Sequence, residues 1–516
     1  MIPIGLSVLS LIFVVLPLIQ VFLGMDSGSA ARVFGDETLI EIVGNSLVAS
    51  SATTVVSIIL AYCLAWCMER TAMPGKKLIQ LLISLPMLIP SVSIGMGVVQ
   101  LLGNSGILTN LLQLPIGSIY GLPGIILGSV LYALPVAFLM IVNILQFEDA
   151  APYEAATVLG IPKWRQFTAI TLPYVGKPMI SVIFSVFTLS FTDYGVPLMV
   201  GGKYRTLPVV MYQEVIGQLD FGKGCVYAGM LLVPAVIAFL LDMTNKNERS
   251  SAFLTRGFEL RRRTLRDGVA SVYSWAMAAF CVLPILAFLV LAFVREYPGD
   301  LALTLDNFVY TMRMGGRRYL MNSVAIAFLA ASAGVLTATV AAYYTARNEG
   351  PVSRYLHLLC MSMAAIPGVV LGLSYVLLFR GSVLYGTIWI LVIVNAVHFF
   401  ASPYLMMYTS FSKINENLEA VAWTLGIARR HLLADIMLPM CRRTLAEMFS
   451  YFFVNSMMTI SAVSFLSGIR TKPVSLMINQ FEAQAQMEYA AVVSLLILVV
   501  NLIVKAILAW LSSRES

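Results

Sequence analysis

The chain reads EAATVLGIPKWRQFTAITLP from Glu154 to Pro173, and it returns to this pattern 266 positions later, from Ala420 to Pro439. Neither copy is apolar enough to span a bilayer, so we expect each to form a structured loop between two membrane helices. A structured loop that is present twice predicts a docking surface. Seven of the twenty aligned positions are identical: Ala156/Ala422, Leu159/Leu425, Gly160/Gly426, Ile161/Ile427, Ile170/Ile436, Leu172/Leu438 and Pro173/Pro439.

The composition of the chain predicts membrane helices around these loops. Of its 516 residues, 59% are hydrophobic and only 11% are charged. Ordinary soluble proteins carry about 25% charged residues, so this class is excluded. We predict an all-α polytopic membrane protein with about 12 transmembrane helices, each approaching the roughly 20 apolar residues that a membrane span requires. The predicted spans are 3–23, 46–67, 78–101, 123–146, 177–200, 225–242, 270–294, 322–345, 356–379, 387–408, 444–468 and 488–511.

The distribution of basic residues predicts the orientation in the membrane. With the N-terminus inside, 21 lysines and arginines lie in or at the edges of the inside loops, and 11 lie in the outside loops. Both termini and both repeated loops are therefore expected in the cytoplasm. The net charge of +7 then reflects topology and anionic lipid headgroups, and we expect no nucleic-acid partner because basic and aromatic residues do not interleave. The alternative for span 3–23 is a secretory signal, but its apolar run exceeds the usual ~7–15 residues.

An internal repeat covers most of the chain. We predict a first half at 1–242, a basic cytoplasmic linker at 243–268 and a second half at 269–516, with the repeated cytoplasmic loops at about 147–176 and 409–443. Six spans per half give both halves the same orientation around a central path. The alternative interpretation of this linker is a regulatory or lipid-binding segment. The repeated motifs are Asn45-Ser46 with Asn322-Ser323, Ile89-Pro90 with Ile366-Pro367, and Gly95 with Gly372, all at an offset of 277, and Arg205–Val209 with Arg470–Val474 at 265.

The loop that begins at Glu154 resembles the signature of the membrane subunits of type I binding-protein-dependent ABC importers. That signature is Glu-Ala-Ala, three residues, Gly, then about nine residues and Ile-x-Leu-Pro. The first copy matches it throughout, whereas the second has Ala420 in place of the leading acid and Glu419 one position earlier. The fusion of both halves in one chain resembles the subfamily for ferric iron, thiamine, phosphonates or sugar phosphates.

The resemblance implies that the two loops contact separate ATPase subunits. The expected coupling residues are Glu154, Ala155, Ala156, Gly160, Glu419, Ala420, Ala422 and Gly426. Small residues allow close approach of a partner, and a glycine permits a tight turn after a short helix. The alternative is that these are plain cytoplasmic hairpins whose Gly and Pro mark helix ends. The leading acid is missing from the second copy, so we expect unequal contacts.

The resemblance also implies the partners. They are two copies of a cytoplasmic ABC ATPase and an extracytoplasmic solute-binding protein, in the bacterial inner membrane. The chain has no G-x-x-x-x-G-K-[ST] segment, so ATP and Mg are expected on the ATPase subunits. We expect this chain to be a transport subunit rather than an enzyme, with no catalytic residue, metal or bound cofactor of its own.

Polar residues inside the spans are the candidates for the translocation path, because ionisable groups there are costly. Asp193 is the clearest, and its alternative role is a helix-end cap or a partner for Lys203 or Arg205. Prolines with small residues in the third span of each half are a second candidate layer, which ordinary helix packing explains as well. The candidates are Asp193, Tyr194, Thr459, Ser461, Ser464, Pro90, Ser93, Pro367 and Ser374.

The substrate is the least determined feature of the sequence. Ferric importers of the resembled group usually carry a Glu-Leu-Pro-Ala-Thr-type segment where this chain has Met457–Val463. This difference favours a phosphonate or phosphate ester, with ferric iron next. The alternative function is an ion-coupled secondary transporter with six plus six helices. Such transport usually needs intramembrane acids or histidines, and Asp193 is nearly alone among them.

Overall fold

A computed structural model describes residues 2–113, 119–246, 257–258, 260, 262, 264–415 and 417–513. Half of the predicted basic linker at 243–268 therefore lies outside the described residues. The helices up to the linker are α1 (Ile2–Ser10), α2 (Leu16–Leu23), α3 (Ser27–Phe34), α4 (Leu39–Arg70), α5 (Lys76–Ser84), α6 (Ser91–Leu102), α7 (Ile107–Leu112), α8 (Leu122–Gln146), α9 (Ala151–Val158), α10 (Lys163–Gln166), α11 (Leu172–Thr192), α12 (Gly195–Val200), α13 (Leu207–Tyr212) and α14 (Phe221–Lys246).

The second part of the chain is also helical, apart from a short antiparallel hairpin of β1 (Val294–Glu296) and β2 (Asp300–Leu303). Its helices are α15 (Thr264–Phe293), α16 (Asp306–Thr311), α17 (Arg317–Arg347), α18 (Pro351–Ser362), α19 (Gly368–Phe379), α20 (Ile388–His398), α21 (Ala401–Ser412), α22 (Asn417–Thr424), α23 (Arg429–His431), α24 (Leu438–Met440), α25 (Arg442–Met458), α26 (Leu476–Ala483) and α27 (Met487–Ser513). Short π-helical stretches occur at Leu11–Val15, Phe167–Thr171, Gln213–Gly217, Met312–Gly316 and Leu432–Met437, and 3-10 turns at Leu85–Leu88 and Met363–Ala365.

The helices confirm an all-α polytopic membrane protein. Within the described residues, eight helices are long and apolar enough to cross a membrane, and eleven spans result if each of three bent helix pairs counts as one. These eleven correspond to eleven of the twelve predicted spans. The exception is the predicted span 444–468, because α25 contains only 17 residues. At 1.5 Å per residue it covers about 25 Å, slightly less than the hydrocarbon core.

Prolines interrupt the third span of each half. Pro90 and Pro367 each stand immediately before a new helix, α6 and α19, with ψ angles of 148° and 141°. A proline nitrogen has no hydrogen to continue the preceding helix, and its ring restricts the residue before it to extended backbone. The predicted spans 78–101 and 356–379 are therefore not single helices, and the second is bent by 108°.

The fifth span of each half also ends earlier than predicted. Helix α11 ends at Thr192 and α25 ends at Met458, which is the equivalent residue 266 positions later. The next residues, Asp193 and Thr459, have extended ψ angles of 128° and 130°. The predicted span 177–200 is thus α11, a break at Asp193 and the short helix α12.

Helix contacts group the chain into two compact units that differ from the consecutive halves of the sequence. One unit joins α1 to α3 and Tyr212–Leu232 to the chain from Thr304 onward. The other joins Phe34–Met211 to Val233–Leu303. Each unit therefore contains the first span of the opposite half of the sequence. In the first unit α2 packs on α19, and in the second α15 packs on α5 and α6.

The second span of each half packs through a face of small side chains. Helix α4 lies against α8 and α11, and α17 lies against α21 and α25. Small residues allow helix backbones to approach closely inside a membrane. A methyl group at Gly334 of α17 would lie 2.6 Å from the Phe452 ring, which leaves no room for a larger residue. The buried small residues include Ser46, Ala49, Ser50, Thr53, Ser57 and Ala61 on α4, and Ala327, Ala330, Ala331, Gly334 and Ala338 on α17.

Two of the repeated motifs contact each other in the first half. The Asn45 amide donates to the carbonyl oxygen of Arg205 (3.2 Å), and the Ser46 hydroxyl accepts from the backbone N–H of Leu207 (2.7 Å). Side-chain partners of this kind satisfy backbone groups that the interrupted fifth span leaves outside a helix.

The second half repeats this contact. The Asn322 amide donates to the carbonyl oxygen of Arg470 (3.0 Å), and the Ser323 hydroxyl accepts from the backbone N–H of Val474 (2.8 Å). The carbonyl acceptors, Arg205 and Arg470, occupy equivalent positions of the repeat. The recurrence of Asn-Ser and Arg-Thr-x-Pro-Val in the sequence thus has one structural cause, a brace between the second span and the segment after the fifth.

Candidate functional site

The first repeated loop contains a short helix that ends in a tight turn. Helix α9 begins after Asp149, whose Oδ1 accepts from the backbone N–H of Ala151 (3.0 Å). At its other end the Ile161 N–H donates to Ala156 O (2.9 Å) and the Gly160 N–H donates to Thr157 O (3.1 Å). This pair of bonds is the Schellman motif, and it requires the left-handed φ of +70° that Gly160 adopts.

The second repeated loop is built in the same way. The Ile427 N–H donates to Ala422 O (2.8 Å), the Gly426 N–H donates to Trp423 O (3.1 Å), and Gly426 has a φ of +69°. Ala156 and Ala422 are both buried beneath their turns. The shared Ala-x-x-Leu-Gly-Ile pattern is therefore the set of residues that closes one helix end. The predicted tight turn after a short helix is confirmed in both copies.

Large apolar side chains are exposed around both helix ends. Val158 is 88% exposed and Trp423 is 85% exposed. Exposed apolar residues grouped in this way are typical of an interaction surface rather than of a solvated loop. We name Val158, Leu159 and Trp164 the first apolar patch, and Val421, Trp423 and Leu425 the second apolar patch.

The two loops differ in their acids. Glu154 and the equivalent Ala420 are both exposed, which supports their alignment. Glu419 does not replace Glu154, because its carboxylate turns inward and its Oε1 lies 3.3 Å from Arg347 Nε. Ala155, also predicted as a coupling residue, is exposed beside Glu154.

In the first half, the predicted path residues come together at the break after α11. The Asp193 carboxylate accepts from the Ser91 hydroxyl (2.6 Å) and from the backbone N–H groups of Gly195 (3.2 Å) and Val196 (3.0 Å). Asp193 therefore caps α12 and joins it to the start of α6, directly after Pro90. Two further predicted residues, Ser93 and Tyr194, are buried.

Glycines bring α6 and α12 into direct contact. A methyl group at Gly95 of α6 would lie 2.8 Å from Met199 Cβ, and one at Gly195 of α12 would lie 2.3 Å from Ser91 Oγ. Ordinary side chains do not fit at these distances, so the glycines are required for the approach. The Asp193 cap is thus enclosed by close packing of two interrupted spans.

The second half uses backbone and hydroxyl groups where the first uses Asp193. Methyl groups at Gly368 and Gly372 of α19 would lie 2.4 Å from Ser461 Oγ and 2.7 Å from Ala462 O. The hydroxyls of Ser374 and Ser464 donate to carbonyl oxygens of their own segments, Leu371 and Ile460. Pro367 immediately precedes α19, and Thr459 O accepts from the Ser475 hydroxyl (2.8 Å). The break in each half is therefore packed against the third span by similar backbone contacts, with a carboxylate in the first half only.

The sequence matches a known family on both repeats. Residues 54–245 and 334–516 match the family described as "Binding-protein-dependent transport system inner membrane component". The chain belongs to this family. It is thus a multi-pass membrane permease of a binding-protein-dependent ABC importer, with both family domains fused in one chain, as the resemblance implied.

Several relatives align with this permease over most of its length. It is 24% identical to the ferric transport system permease protein FbpB of Actinobacillus pleuropneumoniae, over 90% of this chain and 72% of the relative. It is 23% identical to a putative ferric transport system permease protein FbpB of Haemophilus influenzae, over 89% and 76%. The thiamine transport system permease protein ThiP of Escherichia coli is 22% identical, over 94% and 91%.

The permease contains two arginines that the sequence analysis did not select. Arg70 is the last residue of α4 and Arg347 is the last residue of α17, and both lie beside a repeated loop. They recur at the same offset of 277 as the Asn-Ser pair. This recurrence was a signal in the sequence, but only their contacts distinguish them from other basic loop residues.

The residues that pack beside the two repeated loops of the permease also differ. A cavity of about 510 Å³ lies beside α22, where Lys413, Val421 and Met440 contribute to its lining. The residue of the first half equivalent to Met440 is Tyr174, whose hydroxyl donates to Ile144 O (3.3 Å). The second loop therefore has open space where the first has an anchored tyrosine.

Proposed function

We propose that this permease accepts a small solute from an extracytoplasmic binding protein and passes it into the cytoplasm, driven by ATP hydrolysis on separate subunits. The observation that carries the proposal is the pair of short helices, α9 and α22, with the same Schellman turn and an exposed apolar patch at each. One ATPase subunit docks on each helix, so the permease requires two copies. Both termini are cytoplasmic in this arrangement, on the side of the two loops.

The chemistry of ATP hydrolysis belongs to those ATPase subunits. The chain has no glycine-rich phosphate-binding segment of the Walker type, and this favours binding of ATP and Mg on the partners. Exposed valine, leucine and tryptophan side chains suit docking into a partner's groove, because burying them there removes apolar surface from water.

The relatives favour ferric iron as the solute, with thiamine as the second candidate. The ferric permeases align with about nine-tenths of this chain, and a thiamine permease aligns with a similar share. The phosphonate or phosphate ester that Met457–Val463 favours stays an untested prediction. Solutes can be compared by measuring ATPase stimulation of the assembled transporter by binding proteins loaded with each one. Stimulation by a phosphonate-loaded protein alone would overturn the preference for iron.

Reconstitution tests the importer function directly. The full chain is purified with its candidate ATPase and incorporated into liposomes together with the binding protein. We expect a stable complex with two ATPase copies and solute uptake that requires ATP. Uptake driven by an ion gradient without ATP would favour the secondary transporter instead, and the absence of a stable ATPase complex would reject the proposal.

Asp193 is proposed to shape the translocation path through its cap on α12. Asp193→Asn keeps the side-chain size but replaces one carboxyl oxygen by an NH2 group, which cannot accept the hydrogen bonds that both oxygens receive. We expect uptake to fall about tenfold, which corresponds to about 1.4 kcal/mol, within the usual net contribution of one hydrogen bond. ATPase association of this variant is expected to be unchanged. The control is Asp300→Asn, at an exposed side chain of β2, and it should leave uptake unchanged. Unchanged uptake kinetics in Asp193→Asn would leave this residue as a helix cap only.

A further inference from the structure

A buried ion pair connects the first short helix region to the second span. Arg70, at the end of α4, contacts Glu148 and donates to the carbonyl oxygen of Leu145 (3.1 Å). Its side chain is 12% exposed and that of Glu148 is 4% exposed. Separating or removing either partner of such a pair would leave an uncompensated charge in a buried place, which is strongly destabilising. The pair therefore holds the two side chains together.

Tyr153 continues this contact into α9 itself. Its hydroxyl donates to Glu148 and lies 2.7 Å from the Thr171 hydroxyl, just before α11. Burial and the Glu148 carboxylate raise the pKa of Tyr153, so the hydroxyl stays protonated and keeps its proton to donate. The end of α4 is thereby joined to α9 by Arg70, Glu148 and Tyr153.

The second half has the same connection with a different acid. Arg347, at the end of α17, donates to the carbonyl oxygen of Ile414 (2.8 Å), and its Nε lies 3.3 Å from Glu419 Oε1. The Arg347 side chain is only 5% exposed. Glu419 lies within α22, so this arginine reaches the short helix without an intermediate residue.

The positions of the acids indicate that the connection itself is what the two halves share. At the offset of 266, Glu148 corresponds to Ile414, and Tyr153 corresponds to Glu419. The carboxylate has thus moved to another position around the same arginine. In both halves the arginine is buried and keeps a carboxylate beside it, although the Glu419 side chain is 27% exposed and that of Glu148 only 4%. A solvated loop arginine would not have to keep an acidic partner through such a change.

We propose that Arg70 and Arg347 are positioning residues that connect the short helices α9 and α22 to the second span of their own halves. By chain connection alone, α9 moves with α8 and α11, and α22 moves with α21 and α25. The arginines add α4 and α17, whose cytoplasmic ends are far away in sequence. Movement of a docked ATPase is then transmitted to three spans of each half instead of two. This inference rests on the proposed function.

The linker reinforces the first of these connections. The Phe258 ring lies over the Arg70 guanidinium, 3.7 Å from it, and 5.3 Å from the Tyr153 ring. A cation–π contact that excludes water strengthens the neighbouring ion pair. The acid of the second connection is the more exposed of the two, with Glu419 at 27% and Glu148 at 4%, and Glu419 is therefore the better target for substitution.

The test uses the complete transporter with ATPase and binding protein in liposomes, and measures solute taken up per ATP hydrolysed. For Glu419→Gln we expect this ratio to fall about tenfold, within the usual size of coupling between sites, while the ATPase still co-purifies. The double variant I414E/E419Y gives the second half the acid and tyrosine positions of the first, and we expect it to recover most of the lost ratio. Arg443→Gln, which breaks an exposed pair with Glu447 in α25, is the matched control and should behave as wild type.

The outcomes distinguish this proposal from the docking proposal. An unchanged ratio in Glu419→Gln would overturn the positioning role. Loss of ATPase co-purification in that variant would also overturn it, since Glu419 would then be a docking contact. Failure of the wild-type chain to bind an ATPase would instead reject the proposed function. Arg347→Lys retains the charge but cannot make both contacts, so an intermediate ratio is expected even if Glu419→Gln folds poorly.

Discussion

Gly160→Val is expected to reduce ATP-driven uptake by at least about tenfold while the protein still folds in the membrane. Gly160 has a φ of +70°, and a left-handed conformation costs an L-residue about 1–2 kcal/mol, with β-branched residues affected most. A Cβ atom at this position would have no neighbour within 4 Å, so the expected damage is to the turn and not to packing. Uptake and ATP hydrolysis of the reconstituted transporter measure the effect.

Two variants control for this result. Gly160→Asn should retain much of the uptake, because asparagine tolerates left-handed backbone. Gly176→Ala replaces a glycine of α11 that also has open space around it but has helical backbone, and it should leave uptake unchanged. We expect Gly426→Val to have a different magnitude from Gly160→Val, since the two loops have different acids and support. Normal uptake by Gly160→Val would contradict a role for the Schellman turn in coupling.

Val158→Asp is expected to abolish stable association of one ATPase subunit. Val158 is 88% exposed in the first apolar patch, and docking would bury it. The substitution loses apolar burial of about 1.5–3 kcal/mol and adds a carboxylate to a surface that docking removes from water. A loss of about 4 kcal/mol corresponds to roughly a thousandfold weaker binding, which co-purification detects readily.

The matched control is another exposed valine away from the loops. Val383 is 95% exposed in the segment between α19 and α20, so Val383→Asp makes the same chemical change. It should leave ATPase binding intact. Trp423→Asp tests the second apolar patch in the same way, and exposed tryptophans that become buried commonly dominate binding energy. If Val158→Asp and Val383→Asp bind the ATPase equally well, α9 is not a docking helix.

The sequence contained enough information for the fold class and for the local form of the two loops. Hydrophobic length predicted most spans, since a helix is the simplest way to satisfy backbone groups in hydrocarbon. Gly160 and Gly426 predicted a tight turn after a short helix, because a left-handed φ after a helix favours glycine. Both features depend on neighbouring residues only, so they can be read locally.

Hydropathy alone did not locate the breaks within the spans. Asp193 and Thr459 interrupt stretches that remain apolar on both sides, so a running average of hydropathy continues through them. Asp193 was predicted as a path residue with a helix cap as its alternative. The structure shows the cap, because Ser91, from a different span, and two backbone N–H groups surround its carboxylate.

By itself the sequence determined a duplicated polytopic membrane protein with two matching loops, because composition, period and local turn chemistry are properties of the chain. Only the tertiary structure decided which first span joins which unit, and that Glu419 faces Arg347 rather than the surface. The direction of a side chain at the end of a helix depends on the elements packed against it. An arginine 72 residues before Glu419 becomes its partner only after α17 and α22 have come together.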